Sequence, residues 1–289
     1  SVSQSVYLND HFRLAEDIDF TDWDWSLRPW IPIGTDTAPF QGEFDGENHV
    51  ISGLLVNAPL LTSAGMFGFN EGTLRNIGLQ DVSLTGGNNS GALVGINTGK
   101  IHHSYSTGTV GGGDNVGGLA GLNKDGGIVQ YSHSGVDVSG NQSIGGLVGT
   151  NTGGSTIQSS YATGDASGAA RIGGLVGIND GNSSLIQNAY ATGNAHGTVW
   201  DVGGIAGFIG PGSMIRYVYA TGNVSGVPGD KMGGLVGYSA SGSMYYGFWN
   251  TEGTAVSWAG SNYGYAWAIG GHPLNELQQE ATFSGWGSA

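Results

Sequence analysis

The sequence predicts an all-β protein, a parallel β-helix (β-solenoid) of about seven to eight coils with 26–30 residues each. A glycine-rich segment recurs along the chain, and the gaps between successive final glycines are 27, 26, 28, 28, 30 and 30 residues. Glycine makes up 57 of the 289 residues. That share argues against helical repeats, because each interior glycine costs about 1 kcal/mol relative to alanine. The apolar runs are short, rich in Val, Ile and Tyr, and bounded by turn residues, as in strands.

The repeated segment forms the first side of each predicted coil. It occurs as AGMFGFN (64–70), SGALVGIN (90–97), VGGLAGLN (116–123), IGGLVGTN (144–151), IGGLVGIN (172–179), VGGIAGFI (202–209) and MGGLVGYS (232–239). A second anchor marks the next side, at Tyr105, Tyr131, Tyr161, Tyr190, Tyr219 and Trp249. A short third stretch such as DASG or NVSG completes the coil, and each coil hydrogen-bonds to the next at a rise of about 4.8 Å.

Alternation along the second side separates an inner face from an outer face. In the stretch SYATG, Ser160 and Ala162 share one face, and Tyr161 and Thr163 share the other. Small residues recur at the first pair of positions, which suits the narrow interior of a thin coil. The tyrosines and threonines are therefore predicted to face outward.

The pattern GGLVGxNxGxIxxSYATGxVSG resembles the GLUG motif, a glycine-rich repeat of large bacterial surface and secreted proteins. Those proteins include adhesins and regions that flank IgA-specific metallopeptidases. The stretches FRLAEDIDF, PFQGEFDGENHVISGL, FWNTEGTAVSWAG and LNELQQEATFSGW resemble the segments before and after such repeats. The resemblance implies a right-handed β-helix with both ends capped. It also implies that a short Leu/Glu helix and a final Trp strand end the array.

The same resemblance sets the expected organisation and location. We expect one β-solenoid domain over residues 1–289. Leading coils and an N-terminal cap occupy 1–62, GLUG-type coils occupy 63–250, and a closing segment occupies 251–289. The resemblance implies an extracellular or bacterial cell-surface location within a larger protein.

Composition and charge narrow the expected partners. The chain has 22 acidic and 8 basic residues, for a net charge of −14, which disfavours binding to nucleic acid. Cysteine is absent, so disulfides and thiol chemistry are excluded. No apolar run reaches the 18 residues of a membrane-span candidate. The expected partner is a glycan or a host or cell-surface ligand, and the oligomeric state stays open.

The candidate ligand-binding residues are Tyr105, Tyr161, Tyr190, Tyr219, Thr163, Thr192 and Thr221. One interpretation is an aromatic and hydroxyl stripe that stacks on sugar rings, since tyrosine offers rigid amphipathic area. The other is cross-coil stacking that stabilises the fold, at about 0.2–1 kcal/mol for each neighbouring pair. The sequence leaves both interpretations open.

The acidic leader AEDIDFTDWDW contains the candidate metal ligands Asp17, Asp19, Asp22 and Asp24. Carboxylates at alternating positions share one strand face and could hold Ca²⁺, which takes six to eight oxygen ligands. Their spacing is not that of an EF-hand. The alternative is a solvated cap edge, and no cofactor other than calcium is indicated.

Enzyme signatures such as HExxH, GxSxG and the P-loop are missing from the sequence. Glu43 and Asp45, at alternating positions of one strand, are about 7 Å apart by strand rise, a spacing compatible with an inverting glycosidase. The sequence favours a non-catalytic extracellular module for adhesion or carbohydrate binding. A polysaccharide-degrading hydrolase or lyase and a structural spacer are the alternatives.

Overall fold

The structure is a computed structural model and describes residues 8–227, 231–252 and 265–279. Its strands run parallel and stack as a β-solenoid of about eight turns, with almost no helix. The predicted all-β solenoid is confirmed.

The elements follow one another in the order of the coils. The leading coils contain β1 (His11–Arg13), β2 (Ile18–Asp19), β3 (Glu43–Asp45), β4 (Val50–Ser52) and β5 (Leu55–Ala58). The first repeated coils contain β6 (Phe67–Asn70), β7 (Thr73–Arg75), β8 (Gly78–Gly86), β9 (Ser90–Gly91), β10 (Val94–Asn97), β11 (Lys100–His102), β12 (Tyr105–Gly111), β13 (Asp114–Gly117), β14 (Ala120–Asn123), β15 (Ile128–Gln130), β16 (His133–Ser139) and β17 (Gln142–Gly145).

The later coils repeat this order. They contain β18 (Val148–Asn151), β19 (Thr156–Gln158), β20 (Tyr161–Ala162), β21 (Ala166–Gly173), β22 (Val176–Asn179), β23 (Leu185–Ala191), β24 (Ala195–Gly203), β25 (Ala206–Ile209), β26 (Met214–Ala220), β27 (Val224–Ser225), β28 (Met232–Gly233), β29 (Val236–Ser239) and β30 (Ser243–Asn250). The closing segment contains β31 (Tyr265–His272) and α1 (Leu274–Leu277).

Equivalent strands of successive coils pair side by side. A seven-stranded parallel sheet collects the GLVGxN side of every repeated coil, and consists of β6, β10, β14, β18, β22, β25 and β29. The other described strands join a continuous 24-stranded network around the remaining sides. Register keeps equivalent residues together, so that Val94, Ala120, Val148 and Val176 lie in one row. The sequence period is therefore the period of the coils.

The interior is filled by the apolar residues of the repeat and by small residues opposite them. Leu147 and Val148 are fully buried, and so is Ala162. A Cβ at Gly146 would collide with the carbonyl oxygen of Gly174 in the next coil and lie 2.9 Å from the Cβ of Ala162. The second glycine of the repeat therefore lets adjacent coils approach closely.

Two of the predicted second anchors are wrong. His133, not Tyr131, pairs with Tyr105 and Tyr161, because Tyr131 occupies a corner of the coil at a left-handed φ of 51°. In the last repeated coil Phe248 pairs with Tyr219, whereas Trp249 is buried in register with Ala220. A Cβ at Gly234 would collide with the Trp249 ring, so this glycine leaves the space that the ring occupies.

The closing segment is partly described. The predicted short Leu/Glu helix is present as α1, which buries Leu277, and the predicted final Trp strand lies outside the described residues. Across the part of the chain that the structure describes, no helix has the length and apolar character needed to cross a membrane.

Candidate ligand-binding face

An aromatic column runs along the outer face of the solenoid, one ring from each coil. It consists of Tyr105, His133, Tyr161, Tyr190 and Tyr219. The centroids of successive rings are 5.2, 4.6, 4.6 and 4.9 Å apart, and their planes are within 7° of parallel. All five side chains are half-buried. Each inner ring therefore has both faces against its neighbours and presents its edge to solvent.

The column disfavours ionisation of Tyr190 and Tyr219. Burial, with smaller contributions from Tyr219 and Tyr161, raises the pKa of Tyr190 to about 12. Burial likewise raises the pKa of Tyr219. Since a protonated phenol both donates and accepts hydrogen bonds, the column offers a line of hydroxyl groups together with ring edges.

A threonine column lies beside the rings. Thr163 and Thr192 are exposed and Thr221 is half-buried. Their backbone N–H groups donate to Ser134, Ala162 and Ala191 of the preceding coils, which holds the three in register. The coil before Thr163 has Gly135 at the threonine position, where a Cβ would lie 3.3 Å from the Thr163 hydroxyl.

A third column continues the same face with carboxylates and amides. Its members, Asp137, Asp165, Asn194 and Asn223, are linked from coil to coil. In each pair the backbone N–H donates to the side-chain oxygen of the preceding coil, at 3.0, 2.7 and 2.9 Å. Next to the first two lies an open polar groove of about 410 Å³, which Thr109, Ser139 and Ser167 also line. We call the three columns together the hydroxyl face.

A buried asparagine ladder inside the coils was missed by the sequence analysis. Its members are Asn70, Asn97, Asn123, Asn151 and Asn179, each with no exposed surface. The Nδ2 of each of the first four donates to the Oδ1 of the next asparagine, at 2.7, 2.7, 2.8 and 2.8 Å. The recurring asparagine at the end of each GLVGxN segment is the sequence feature that could have predicted the ladder. The ladder stabilises the stack of coils, and its buried amides are not accessible to a ligand.

Glu43 and Asp45 lie on one strand as predicted, and the structure brings Arg75 between them. The Arg75 Nε lies 2.6 Å from Glu43 Oε1, and another guanidinium nitrogen lies 2.6 Å from Asp45 Oδ2. Burial raises the pKa of Asp45, but the Glu47 N–H, the Asn76 amide and Arg75 outweigh it and hold that pKa below its usual value. Both carboxylates are thus ion-paired with Arg75, and the lowered pKa of Asp45 does not favour a general-acid role for that residue.

The acidic leader distributes its carboxylates among separate partners. Asp17 accepts hydrogen bonds from the Val50 N–H and the His49 ring, which lower the pKa of Asp17. Asp19 binds Thr21 and Ser52, and Asp24 binds Ser26, with the same effect on each pKa.

The leader therefore gives the calcium prediction no grouped site. Asp22 is exposed, and no group of three or more acidic or histidine side chains that could hold a metal ion occurs among the described residues. The calcium ion stays a prediction.

The tryptophans of the leader pack over the first coil. Trp25 and Trp30 are half-buried and line an apolar cavity of about 560 Å³ with Phe20, Phe44 and Met66. The Phe20 and Trp25 centroids are 5.3 Å apart, and Trp30 Nε1 donates to the Met66 carbonyl. The leader thus covers the apolar interior at this end of the stack.

Comparison with known proteins agrees with this architecture. A family model of the GLUG motif matches residues 140–167 and 168–195. Halomucin of Haloquadratum walsbyi is 34% identical over 131 residues, which are 42% of this chain and 1% of halomucin. A protein of Evansella cellulosilytica described as a Gly-rich membrane protein is 34% identical over 93 residues, 31% of this chain and 11% of that protein. The chain thus spans a small part of either relative.

Two solved structures share the fold. A chain described as an immunoglobulin A1 protease from Bacteroides ovatus has a TM-score of 0.62 and 21% identity, over 96% of this chain and 81% of that chain. A second, described as IgA1 protease, has a TM-score of 0.50 and 18% identity, over 91% of this chain and 19% of that chain. At these identities the likeness shows the architecture alone. The chain is a β-solenoid that contains GLUG-motif repeats.

Proposed function

We propose that this chain is a non-catalytic extracellular module that binds a glycan or another cell-surface ligand through the hydroxyl face, within a larger protein. The observation that carries the proposal is the regular spacing of the three outward columns. Phenol, threonine and carboxylate or amide groups recur at about 4.8 Å along the stack. A ligand with repeating hydroxyl groups can form the same contacts on several coils at once, which raises its overall affinity.

The manner of binding follows from the stacked rings. Because neighbouring rings cover each other's faces, a sugar contacts the ring edges and hydroxyls of Tyr161 and Tyr190. Thr163 and Thr192 are exposed beside them, with the Thr163 hydroxyl 3.4 Å from the Ser134 carbonyl. Asp165 and Asn194, which are hydrogen-bonded to each other, supply further acceptors and donors. Hydrogen bonding rather than ring-face stacking therefore dominates the proposed interaction.

A non-catalytic role is supported by the state of the one carboxylate pair that the sequence singled out. Both Glu43 and Asp45 are bound to Arg75. A surface location is supported by the GLUG motif and by the similarity to halomucin.

The test is a glycan array with the intact chain, followed by affinity measurements on each glycan retained. The double variant Thr163→Val, Thr192→Val should bind at least ten-fold more weakly with an unchanged melting temperature, since valine keeps the shape and removes the hydroxyl. Thr156→Val, on a different outward strand, is the matched control and should bind as the wild type does.

Three outcomes would contradict the proposal. Equal affinity of wild type and double variant would remove the hydroxyl face as the binding surface. Retention of no glycan and no cell-surface component would favour the spacer. Release of reducing sugar by the wild type, lost in Glu43→Gln, would identify a hydrolase or lyase.

A further inference from the structure

A second surface concentrates cations and aromatic rings where the seven-stranded sheet adjoins β21 and β24 of the 24-stranded network. A concavity of about 330 Å³, which we call the Trp200 pocket, is lined by Arg171, Trp200, Asp201, Phe208, Lys231 and Tyr238. The whole chain has 8 Lys and Arg residues and a net charge of −14. Two of the eight cations therefore meet in one small concavity of a strongly acidic protein.

The position of Arg171 is unusual for a long cation. Asn89, Asn115, Ser143 and Arg171 occupy the same corner in successive coils, all at left-handed φ between 49° and 61°. Asparagine tolerates this backbone conformation better than other side chains do, and Asn115 there donates to Asn89 at 2.9 Å. The corner accepts short side chains in the preceding coils, so the backbone does not require the long arginine side chain at residue 171.

Both cations are held over aromatic rings. The Arg171 guanidinium carbon lies 5.4 Å from the centroid of Phe208, and Lys231 Nζ lies 3.5 Å from that of Tyr238. Such contacts orient a cation without neutralising it. In the described part of the chain neither forms an ion pair within 4.0 Å, and the buried Arg171 Nε has no hydrogen-bond partner. The pocket therefore contains cationic donors with capacity for an anion.

A local insertion brings Trp200 to the pocket. Gly168 pairs with Gly197 and Ala170 pairs with Trp200, so this coil has one additional residue between the two pairs. The Trp200 side chain replaces an alanine of the preceding coil and is 47% exposed. An exposed indole face beside cationic donors is suited to the C–H face of a sugar ring that bears a charge.

We propose that the Trp200 pocket binds a carboxylate-bearing pyranose, the class that includes the uronate units of acidic polysaccharides. The indole of Trp200 packs against the ring, and Arg171 and Lys231 donate to the carboxylate. The buried Asp201 also lines the pocket, so a bound anion meets two cations and one carboxylate. This balance of charges suits a single carboxylate better than a run of phosphates.

This proposal relies on the proposed surface-binding function for its ligand class, but it uses different residues. The probe is tetragalacturonate, compared by calorimetry with the same oligomer after complete methyl esterification, which keeps the rings and removes the charges. We expect the ester to bind at least ten-fold more weakly. Arg171→Asn and Trp200→Ala should each weaken tetragalacturonate binding at least ten-fold, and Arg171→Asn introduces the residue that the corner accepts at 89 and 115.

Matched controls come from the same chain. Lys124 lies over the Phe69 ring at 5.7 Å near the other end of the same sheet, and Trp267 is 68% exposed elsewhere. Lys124→Gln and Trp267→Ala should bind tetragalacturonate as the wild type does.

Several results would overturn the proposal that the Trp200 pocket binds a carboxylate-bearing pyranose. These are no binding of tetragalacturonate, equal binding of acid and ester, or unchanged binding by a folded Arg171→Asn. If Thr163→Val, Thr192→Val abolishes the binding while Trp200→Ala leaves it intact, the ligand lies on the hydroxyl face. That result would overturn the pocket and leave the proposed function standing.

Discussion

The ring of Tyr161 lies parallel to that of Tyr190, with centroids 4.6 Å apart and 4° between the planes. At this separation each ring covers a face of the other, so the pair contributes to cohesion between coils. The rings of His133 and Tyr219 continue the stack on either side. The two interpretations of the tyrosines are therefore compatible, because the ring faces of Tyr161 and Tyr190 stabilise the solenoid while the ring edges lie at its outer surface.

Truncation of a central ring should measure the contribution of ring stacking. Tyr161→Ala removes two stacked contacts at about 0.5–1.5 kcal/mol each, together with buried area, so we expect a loss of about 2–4 kcal/mol in the free energy of unfolding. Tyr161→Phe keeps the ring and should change that free energy by less than about 0.5 kcal/mol. Denaturant titration followed by circular dichroism checks both values.

Tyr131 is the control for this experiment. Its ring is 51% exposed and stacks on His103 alone among the described rings. Tyr131→Ala should therefore cost less than Tyr161→Ala. Equal losses would contradict the assignment of Tyr161 to a cohesive column.

Substitution of an asparagine of the buried ladder should destabilise the fold more than substitution of an exposed asparagine. Asn123→Ala removes the donor to Asn151 Oδ1 and the acceptor of one Asn97 Nδ2 hydrogen, whereas the Gly127 carbonyl still accepts from the Thr156 N–H. Buried unpaired groups cost about 1–3 kcal/mol each, so we expect a loss of about 2–4 kcal/mol in the free energy of unfolding. Asn182 is exposed, and Asn182→Ala should change that free energy by less than about 0.5 kcal/mol. Similar effects of the two variants would contradict a stabilising ladder.

The sequence predicts the features that depend on interactions within one coil, and it does not predict those that depend on contacts between coils. The spacing of the glycines predicts the coils, and alternation in SYATG predicts that Tyr161 and Thr163 face outward, since both follow from local geometry. The place of His133 in the aromatic column was not predicted, because the alignment of one coil with the next depends on contacts with the adjacent coils. Ser132 donates its backbone N–H to Ser160 Oγ, and this contact places His133 in the aromatic column.

Interactions between coils account for the other features that the sequence did not predict. Asn123 ends a strand, where asparagine normally signals a turn. Its burial depends on donors and acceptors in the coils on either side. Arg75 lies one coil after Glu43 and Asp45, and only strand pairing brings the guanidinium to the two carboxylates. A local pattern cannot show such pairs until the register is known.

Loss of the Arg75 bridge should destabilise the leading coils. In Arg75→Met the 5%-exposed Asp45 keeps its hydrogen bonds to Glu47 and Asn76 but loses its cation. Because Arg75 is itself partly exposed, solvent screening weakens the ion pair, and we expect a modest but measurable loss in the free energy of unfolding.

A neutral pair provides the comparison. Arg216 donates to the neutral Oε1 of Gln187 at 2.9 and 2.6 Å, so Arg216→Met should cost less than Arg75→Met. Asp45→Asn in the Arg75→Met background should recover part of the stability, since it removes the unpaired charge. Thermal denaturation of the four chains checks the order, and a further loss in the double variant would contradict the ion-pair assignment.

The histidine in the aromatic column should make stability depend on pH. Burial lowers the pKa of His133 below its usual value, whereas the unfolded chain has a histidine pKa of about 6.5. Between these two values the unfolded state binds more protons than the folded state, so the free energy of unfolding falls as the pH is lowered through about 6.5. The carboxylates with lowered pKa values, such as Asp45, lose their stabilising contribution as the pH falls below about 5, so they add little between pH 7.5 and pH 5.0.

His133→Tyr introduces the residue of the neighbouring coils and removes this titration. Guanidinium unfolding at pH 7.5 and pH 5.0 should show a smaller loss of stability for the variant than for the wild type. Some loss remains in the variant, because burial, followed by the charge of His103, lowers the pKa of His102 as well. An identical loss in the two chains would show that protonation of His133 does not oppose the stacking of its ring between Tyr105 and Tyr161.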